Sequence, residues 1–250
     1  MGPAVTPDLS NLGRRLYEAL STVAATFQGM TAHPDDSNCE CHWGSAEELA
    51  LLKTADVPLD EDLLRRAYWA SDWSYPAPMM RRILPQLTQS LVAGKVEPMI
   101  GMESLAQQFT RAHWQEWPDA QRTALREFLD VWWLHVLVDP DARVPAHEAL
   151  VFLAEISGKL TPWLTIWADL MGDMVTRQRL VTAVDEWIYE LLNDELPWDS
   201  RPDSDTWCAA LTLWFMRHAP AALREHEDSA ELQESLRLLL LPKAQRWARS

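Results

Sequence analysis

The sequence predicts an all-α protein, either a compact multi-helix bundle or a short irregular α-α superhelix of about a dozen helices. Apolar residues recur at steps of three and four along most of the chain, which is the spacing of one buried helix face. No segment shows the sustained two-residue alternation of a half-buried strand. Most of the 16 prolines stand where a helix would begin, and there the missing N–H costs no hydrogen bond. We therefore expect one helical domain over residues 1–250, with a possible subdivision near residues 140–145.

The first half of the chain is expected to form six helices, and the first has its apolar residues at Leu9, Leu12, Leu16, Leu20, Val23 and Phe27. Ser45, followed by Glu47 and Glu48, marks the start of the second helix. Pro85 lies inside the fourth, where it predicts a kink or a restart. The sixth has an apolar face wide enough to be enclosed on two sides, so it is the predicted central helix. The six predicted ranges are 8–28, 45–54, 60–70, 77–93, 101–116 and 118–138.

The second half is expected to form six more helices, four of which are opened by Pro145, Pro162, Pro202 and Pro220. Gly158 can adopt the left-handed conformation that closes a helix. In the helix at 173–193 a stripe of Leu180, Val184, Trp187, Ile188 and Leu191 is expected to be buried. That leaves Glu186, Glu190, Asn193 and Asp194 facing outward. The predicted ranges are 145–157, 161–171, 173–193, 203–218, 220–227 and 229–241.

The composition excludes several classes of protein. With 48% hydrophobic and 24% charged residues in 250, the chain is neither disordered, nor collagen-like, nor a disulfide scaffold. Its 22 basic and 37 acidic residues give a net charge of −15, which argues against nucleic acids and anionic membranes as partners because both attract cationic surfaces. Three cysteines do not make a secreted disulfide framework, and no secretory signal is apparent. We therefore expect a cytoplasmic protein.

The segment from His33 to Gly44 contains two thiols and two imidazoles. Thiolates and neutral imidazoles are the ligands that zinc selects, and a structural zinc site needs four of them. Cys39, Cys41 and His42 are therefore candidate metal ligands, with His33 as the fourth. The C-x-C-H spacing requires a sharply folded loop around one ion, so the alternative is a polar loop with reduced thiols and no cofactor.

A resemblance rests on three short motifs in this part of the chain. They are Cys39 to His42, the acidic helix start at Ser45 to Glu48, and the leucine-proline segment Leu84–Leu87 after an arginine pair. Together they are similar to those of a group of bacterial helical proteins that carry a C-x-x-C segment, an acidic helix start and a later leucine-proline segment. His42 stands where that group has its second cysteine. The resemblance covers about residues 39–90 and implies a family but no reaction.

The acidic residues are concentrated in two segments. Residues 35–62 hold nine acids and one lysine, and residues 185–205 hold eight acids and one arginine. If helical packing brings both segments to one side, they form an acidic face that attracts a basic protein. Solvated helix faces are the simpler explanation. We predict a macromolecular binding protein, such as an adaptor, an inhibitor or an immunity-type protein, with Glu186, Glu190 and Asp194 as partner contacts.

An aromatic cluster between Tyr68 and Pro76 adds Trp73 and Tyr75 to the candidate partner contacts, because aromatic side chains are favoured at binding hot spots. The alternative function is a metal-dependent or small-molecule-modifying enzyme whose pocket is lined by some of the 14 tryptophans. The sequence has no nucleophile elbow of the G-x-S-x-G type and no His-Glu-x-x-His zinc motif. No catalytic residue is therefore predicted.

Overall fold

The computed structural model describes residues 8–37, 45–97, 101–198, 203–226 and 229–247. These residues form α-helices and one short 3-10 helix, and they contain no strand, which confirms the predicted all-α class. The α-helices are α1 (Leu9–Thr26), α2 (Ala46–Leu52), α3 (Glu61–Trp69), α4 (Pro76–Val92), α5 (Met102–Arg111), α6 (Asp119–Val138), α7 (Ala146–Ser157), α8 (Thr161–Asp169), α9 (Met174–Leu192), α10 (Ser204–Arg224), α11 (Ala230–Leu238) and α12 (Lys243–Arg246).

Helix α6 occupies the centre, as its wide apolar face predicts. It packs against α1, α7, α8 and α9, and Phe128, Trp132 and Trp133 in its middle are fully enclosed. Helix α7 lies beside it and contacts α5 and α9 on its other sides. The helices before and after residues 140–145 therefore pack on one another, and their buried side chains belong to one continuous hydrophobic core.

The tryptophans hold this core together. Most of those in the described segments are buried, and ring pairs such as Trp133 with Trp167 and Trp167 with Trp214 lie 5.4 and 5.2 Å apart between centroids. Their indole N–H groups reach backbone carbonyls on other helices: Trp114 donates to Ile156 and Trp214 donates to Leu164. A buried indole needs such a partner because an unpaired N–H away from water is costly.

Two helices run through a proline. Helix α4 continues past Pro85, where a kink or a restart was predicted, and α10 continues past Pro220, so the predicted pair 203–218 and 220–227 is a single helix. In each case the surrounding helices bury the flanking apolar residues, which offsets the one hydrogen bond that proline removes. The expectation that Pro220 opens a helix was wrong.

Two other differences concern the end of the predicted helix 101–116 and an additional short helix near the end of the described residues. The predicted helix 101–116 stops at Arg111, because His113 adopts a left-handed backbone conformation (φ 48°) and a 3-10 turn over Trp114–Glu116 follows. The short helix α12 was not predicted, since four residues are too few to show a period.

No helix in the described segments combines the length and the hydropathy needed to cross a lipid bilayer.

Candidate docking surface

Helix α9 presents one buried stripe and one polar face. Asp173 caps its start by accepting a hydrogen bond from the Thr176 N–H, and the predicted stripe from Leu180 to Leu191 is buried. The opposite face exposes Asp185, Glu186 and Tyr189, which lie three and four residues apart and so share one side of the helix. Of the residues predicted to face outward, Glu186 and Asp194 are exposed, whereas Glu190 and Asn193 are partly buried.

Tyr189 and Trp247 form an exposed aromatic pair. Tyr189 is 65% exposed and Trp247 is 47% exposed, and their ring centroids lie 6.0 Å apart in an edge-to-face arrangement. They are two of the four exposed aromatic side chains among the described residues, the others being Tyr17 and Tyr75. The sequence analysis missed both residues, because the pair joins positions far apart in the chain.

Arg246 places Trp247 beside α9. Its Nη1 donates to the Leu192 carbonyl at 2.8 Å and to Asp194 Oδ1 at 2.6 Å, and Lys243 donates to the Asn193 carbonyl. Two cations thus complement the partial negative charge at the carboxyl end of α9. Asp194, a predicted partner contact, is exposed as expected, and its carboxylate is ion-paired with Arg246 and so is not part of the docking surface.

The remaining carboxylates of this face are not neutralised. Within the described residues Asp185, Glu186 and Glu190 form no ion pair, and Glu190 Oε2 is enclosed without a hydrogen-bond donor. Glu148 of α7 faces Glu186: partial burial raises the pKa of Glu148, and the negative charge of Glu186 raises it further. Like charges close together mark a site where a cation from a partner would relieve repulsion.

His147 lies next to this group. Burial lowers the pKa of His147, while the nearby Glu186 opposes that effect. Its ring packs edge-on against Trp187 with centroids 5.6 Å apart, and its Nδ1 is enclosed without a hydrogen-bond partner. Burial of His147 therefore favours its neutral form beside these carboxylates.

The acidic segment at 35–62 is different, because most of its described carboxylates form ion pairs or hydrogen bonds within the fold. Glu48 pairs with Arg66 at 2.7 Å, Asp62 pairs with both Arg65 and Arg66, and Glu61 pairs with Lys95. Asp60 caps α3 through the Leu63 N–H. Helix α3 in this segment packs mainly on α4 and α5, whereas α9 packs mainly on α6, α7, α10 and α11.

The remaining predicted contacts lie near residue 75. Trp73 is only 8% exposed and donates its indole N–H to the Ala67 carbonyl, so it packs within the fold and is also left out of the docking surface. Tyr75 is 39% exposed and stacks on His33 with centroids 3.7 Å apart. The predicted metal ligands Cys39, Cys41 and His42 lie outside the described residues. Within those residues no group of three or more metal-ligating side chains converges.

The cavities at the surface of the described segments include three between helices. One of about 350 Å³ lies between α1, the loop before α3, and α4. One of about 210 Å³ lies between α10 and α11, and one of about 200 Å³ lies between α1 and α6. None of the three linings includes a tryptophan, so the tryptophan-lined pocket of the alternative function is not one of these cavities.

No protein-family model matches the chain, and neither a curated protein nor a solved structure is significantly similar to it.

Proposed function

We propose that the chain is a macromolecular binding protein that docks a basic protein partner on the exposed face of α9. The docking surface consists of Glu148, Asp185, Glu186, Glu190, Tyr189 and Trp247. The observation that supports this most directly is an exposed aromatic pair bordered by carboxylates that have no ion partner among the described residues. Charge complementarity with these carboxylates is the reason for proposing a basic protein as the partner.

Each part of the surface has a role in this proposal. The carboxylates attract lysine and arginine side chains over a Debye length of about 8–10 Å at physiological ionic strength, so they increase the association rate. Tyr189 and Trp247 supply apolar area and ring faces for cations, and so they slow dissociation. Arg246 and Lys243 hold the carboxyl end of α9 in place, which keeps the two rings together before the partner arrives.

The experiment compares two charge-reversed variants that have the same net charge. Glu186→Lys/Glu190→Lys changes the docking surface, whereas Glu116→Lys/Glu127→Lys changes exposed acids elsewhere. The wild-type chain and both variants are immobilised on a support and exposed to native lysate at low salt. Each retained protein is identified and purified, and its association and dissociation rates are then measured. We expect a basic protein retained by the wild type and by the control variant, lost by the surface variant, and released by added salt.

The kinetics separate the two contributions. The surface variant should lower the association rate constant at least tenfold with a smaller change in dissociation, since removed charges act before contact. Tyr189→Ala keeps the charge and should instead speed dissociation. If the basic protein binds both double variants equally, its attraction is general to the acidic chain and the assignment to α9 fails.

A further inference from the structure

We infer that the cavity between α1, the loop at 53–60 and α4 binds an α-amino acid with an apolar side chain, held as a zwitterion between Arg82 and Asp56. This site is separate from the α9 surface. Its volume of about 350 Å³ is within the range of small-molecule sites, about 300–1,000 Å³.

The first observation is a buried cation without a carboxylate partner. Arg82 is only 6% exposed, and its guanidinium is held by the backbone: Nε donates to the Thr54 carbonyl at 3.1 Å, and Nη2 donates to the carbonyls of Val57 and Leu51. Within the described residues Nη1 makes no hydrogen bond. Arg82 lines the cavity, so Nη1 is the donor left for a ligand oxygen.

The second observation is an opposite charge in the same lining. Asp56 accepts the Gly29 N–H with Oδ1 at 2.9 Å, which leaves Oδ2 as an acceptor. Burial lowers the pKa of Arg82 and the charge of Asp56 opposes that effect, yet the two form no ion pair in the described structure. Asp56 is exposed whereas Arg82 is buried, and the two charges interact without a direct ion pair. A zwitterion placed between them satisfies both charges, with its carboxylate at Arg82 and its ammonium at Asp56.

Other residues of the lining provide an apolar surface for the side chain of such an amino acid. Phe27, Met30 and Pro85 supply apolar surface. Gln86 is committed to the fold, because its amide donates to the Leu59 carbonyl at 2.9 Å and accepts the Leu59 N–H at 3.0 Å. Together with Arg82 it fixes the loop against α4, so the site exists before any ligand enters.

The test uses L-leucine as the probe and two analogues that each lack one charge. Isothermal titration calorimetry of the full chain is carried out with L-leucine, with leucinamide, which lacks the carboxylate, and with 4-methylpentanoate, which lacks the ammonium. We expect leucine to bind at least tenfold more tightly than either analogue. No heat with leucine at millimolar concentration, or equal affinity for 4-methylpentanoate, would overturn the inference.

Asp56→Asn is the informative variant. Asn tolerates the left-handed backbone at this position (φ 58°) and keeps the acceptor for Gly29, while it removes the charge. Leucine affinity should fall about tenfold, and 4-methylpentanoate should bind no more weakly than to the wild type. Unchanged leucine affinity in this variant contradicts the proposed role of Asp56.

Ala24→Trp fills the cavity from α1 and should abolish leucine binding, whereas Ala25→Trp, on the adjacent exposed position outside the lining, should not. Equal loss in both variants would show that the effect is not local to the cavity.

Discussion

At the scale of single residues, Trp133 and Trp69 make the same kind of hydrogen bond in different surroundings. Trp133 donates to the Trp163 carbonyl inside the core, and Trp69 donates to the Glu97 carbonyl near solvent. We expect Trp133→Phe to lower the free energy of unfolding by about 2–3 kcal/mol, because it leaves a void against Trp167 and removes a buried hydrogen bond. Trp69→Phe should cost about 1 kcal/mol or less, since water replaces the indole. Urea denaturation measures both, and equal losses would contradict the comparison.

A second residue-scale prediction concerns the like charges of Glu148 and Glu186. The folded protein binds the Glu148 proton more tightly than the unfolded chain, because its pKa is raised. The ionised carboxylate therefore opposes folding at pH values above the folded pKa, and this cost disappears below the unfolded value of about 4.3. Glu148→Gln should stabilise the protein at neutral pH by about 0.5 kcal/mol or less, with a gain that shrinks on acidification.

A double-mutant cycle isolates the pair. In a Glu186→Gln background the stabilisation from Glu148→Gln should be smaller at neutral pH, because the repelling charge has already gone. Thermal unfolding of the four proteins at neutral pH and near pH 4.5 gives the comparison. A gain that grows on acidification would show that the ionised Glu148 does not oppose folding.

At the scale of helices, α12 is attached to the end of α9 by the buried Arg246 and by the exposed Lys243. Arg246→Met removes the donor to the Leu192 carbonyl and leaves Asp194 without its ion partner. We expect the free energy of unfolding, measured by urea denaturation, to fall by about 2–4 kcal/mol. Resonance energy transfer from Tyr189 to Trp247 should also decrease. Arg237→Met is the matched control: that arginine pairs with Glu234 at the surface, so its loss should cost about 0.5 kcal/mol or less.

The same scale shows how far sequence reasoning reaches. Periodicity and the positions of prolines predict most helices to within a few residues, because both are local properties of the chain. Pro220 was wrongly predicted to open a helix, because the continuation of α10 depends on the helices packed around it and not on the local sequence. For the docking surface, Glu186 and Glu190 follow from the polar face of α9, but the pairing of Tyr189 with Trp247 and of Asp194 with Arg246 depends on tertiary contacts that no local pattern contains.

At the scale of the whole molecule, the buried side chains form one cluster that runs from α1 to the segment after α11. Helices α6 and α7, on either side of residues 140–145, share that cluster. We therefore expect one cooperative unfolding transition, with tryptophan fluorescence and far-ultraviolet circular dichroism coinciding in urea. Two separated transitions would show that the parts before and after residues 140–145 unfold independently.

The packing of α1 on α6 has a consequence for biosynthesis. Helices α2 to α5 lie between these partners in the chain, so α1 leaves the ribosome well before its partner is made. At about 5–20 residues per second the delay is on the order of ten seconds. During that time the apolar face of α1, with Leu12, Leu16 and Val23, lacks its main partner, and α4, which packs on α1 less extensively, is the earlier helix that can cover part of it. The nascent chain therefore presents a binding site for chaperones, which disappears once α6 emerges and folds against it.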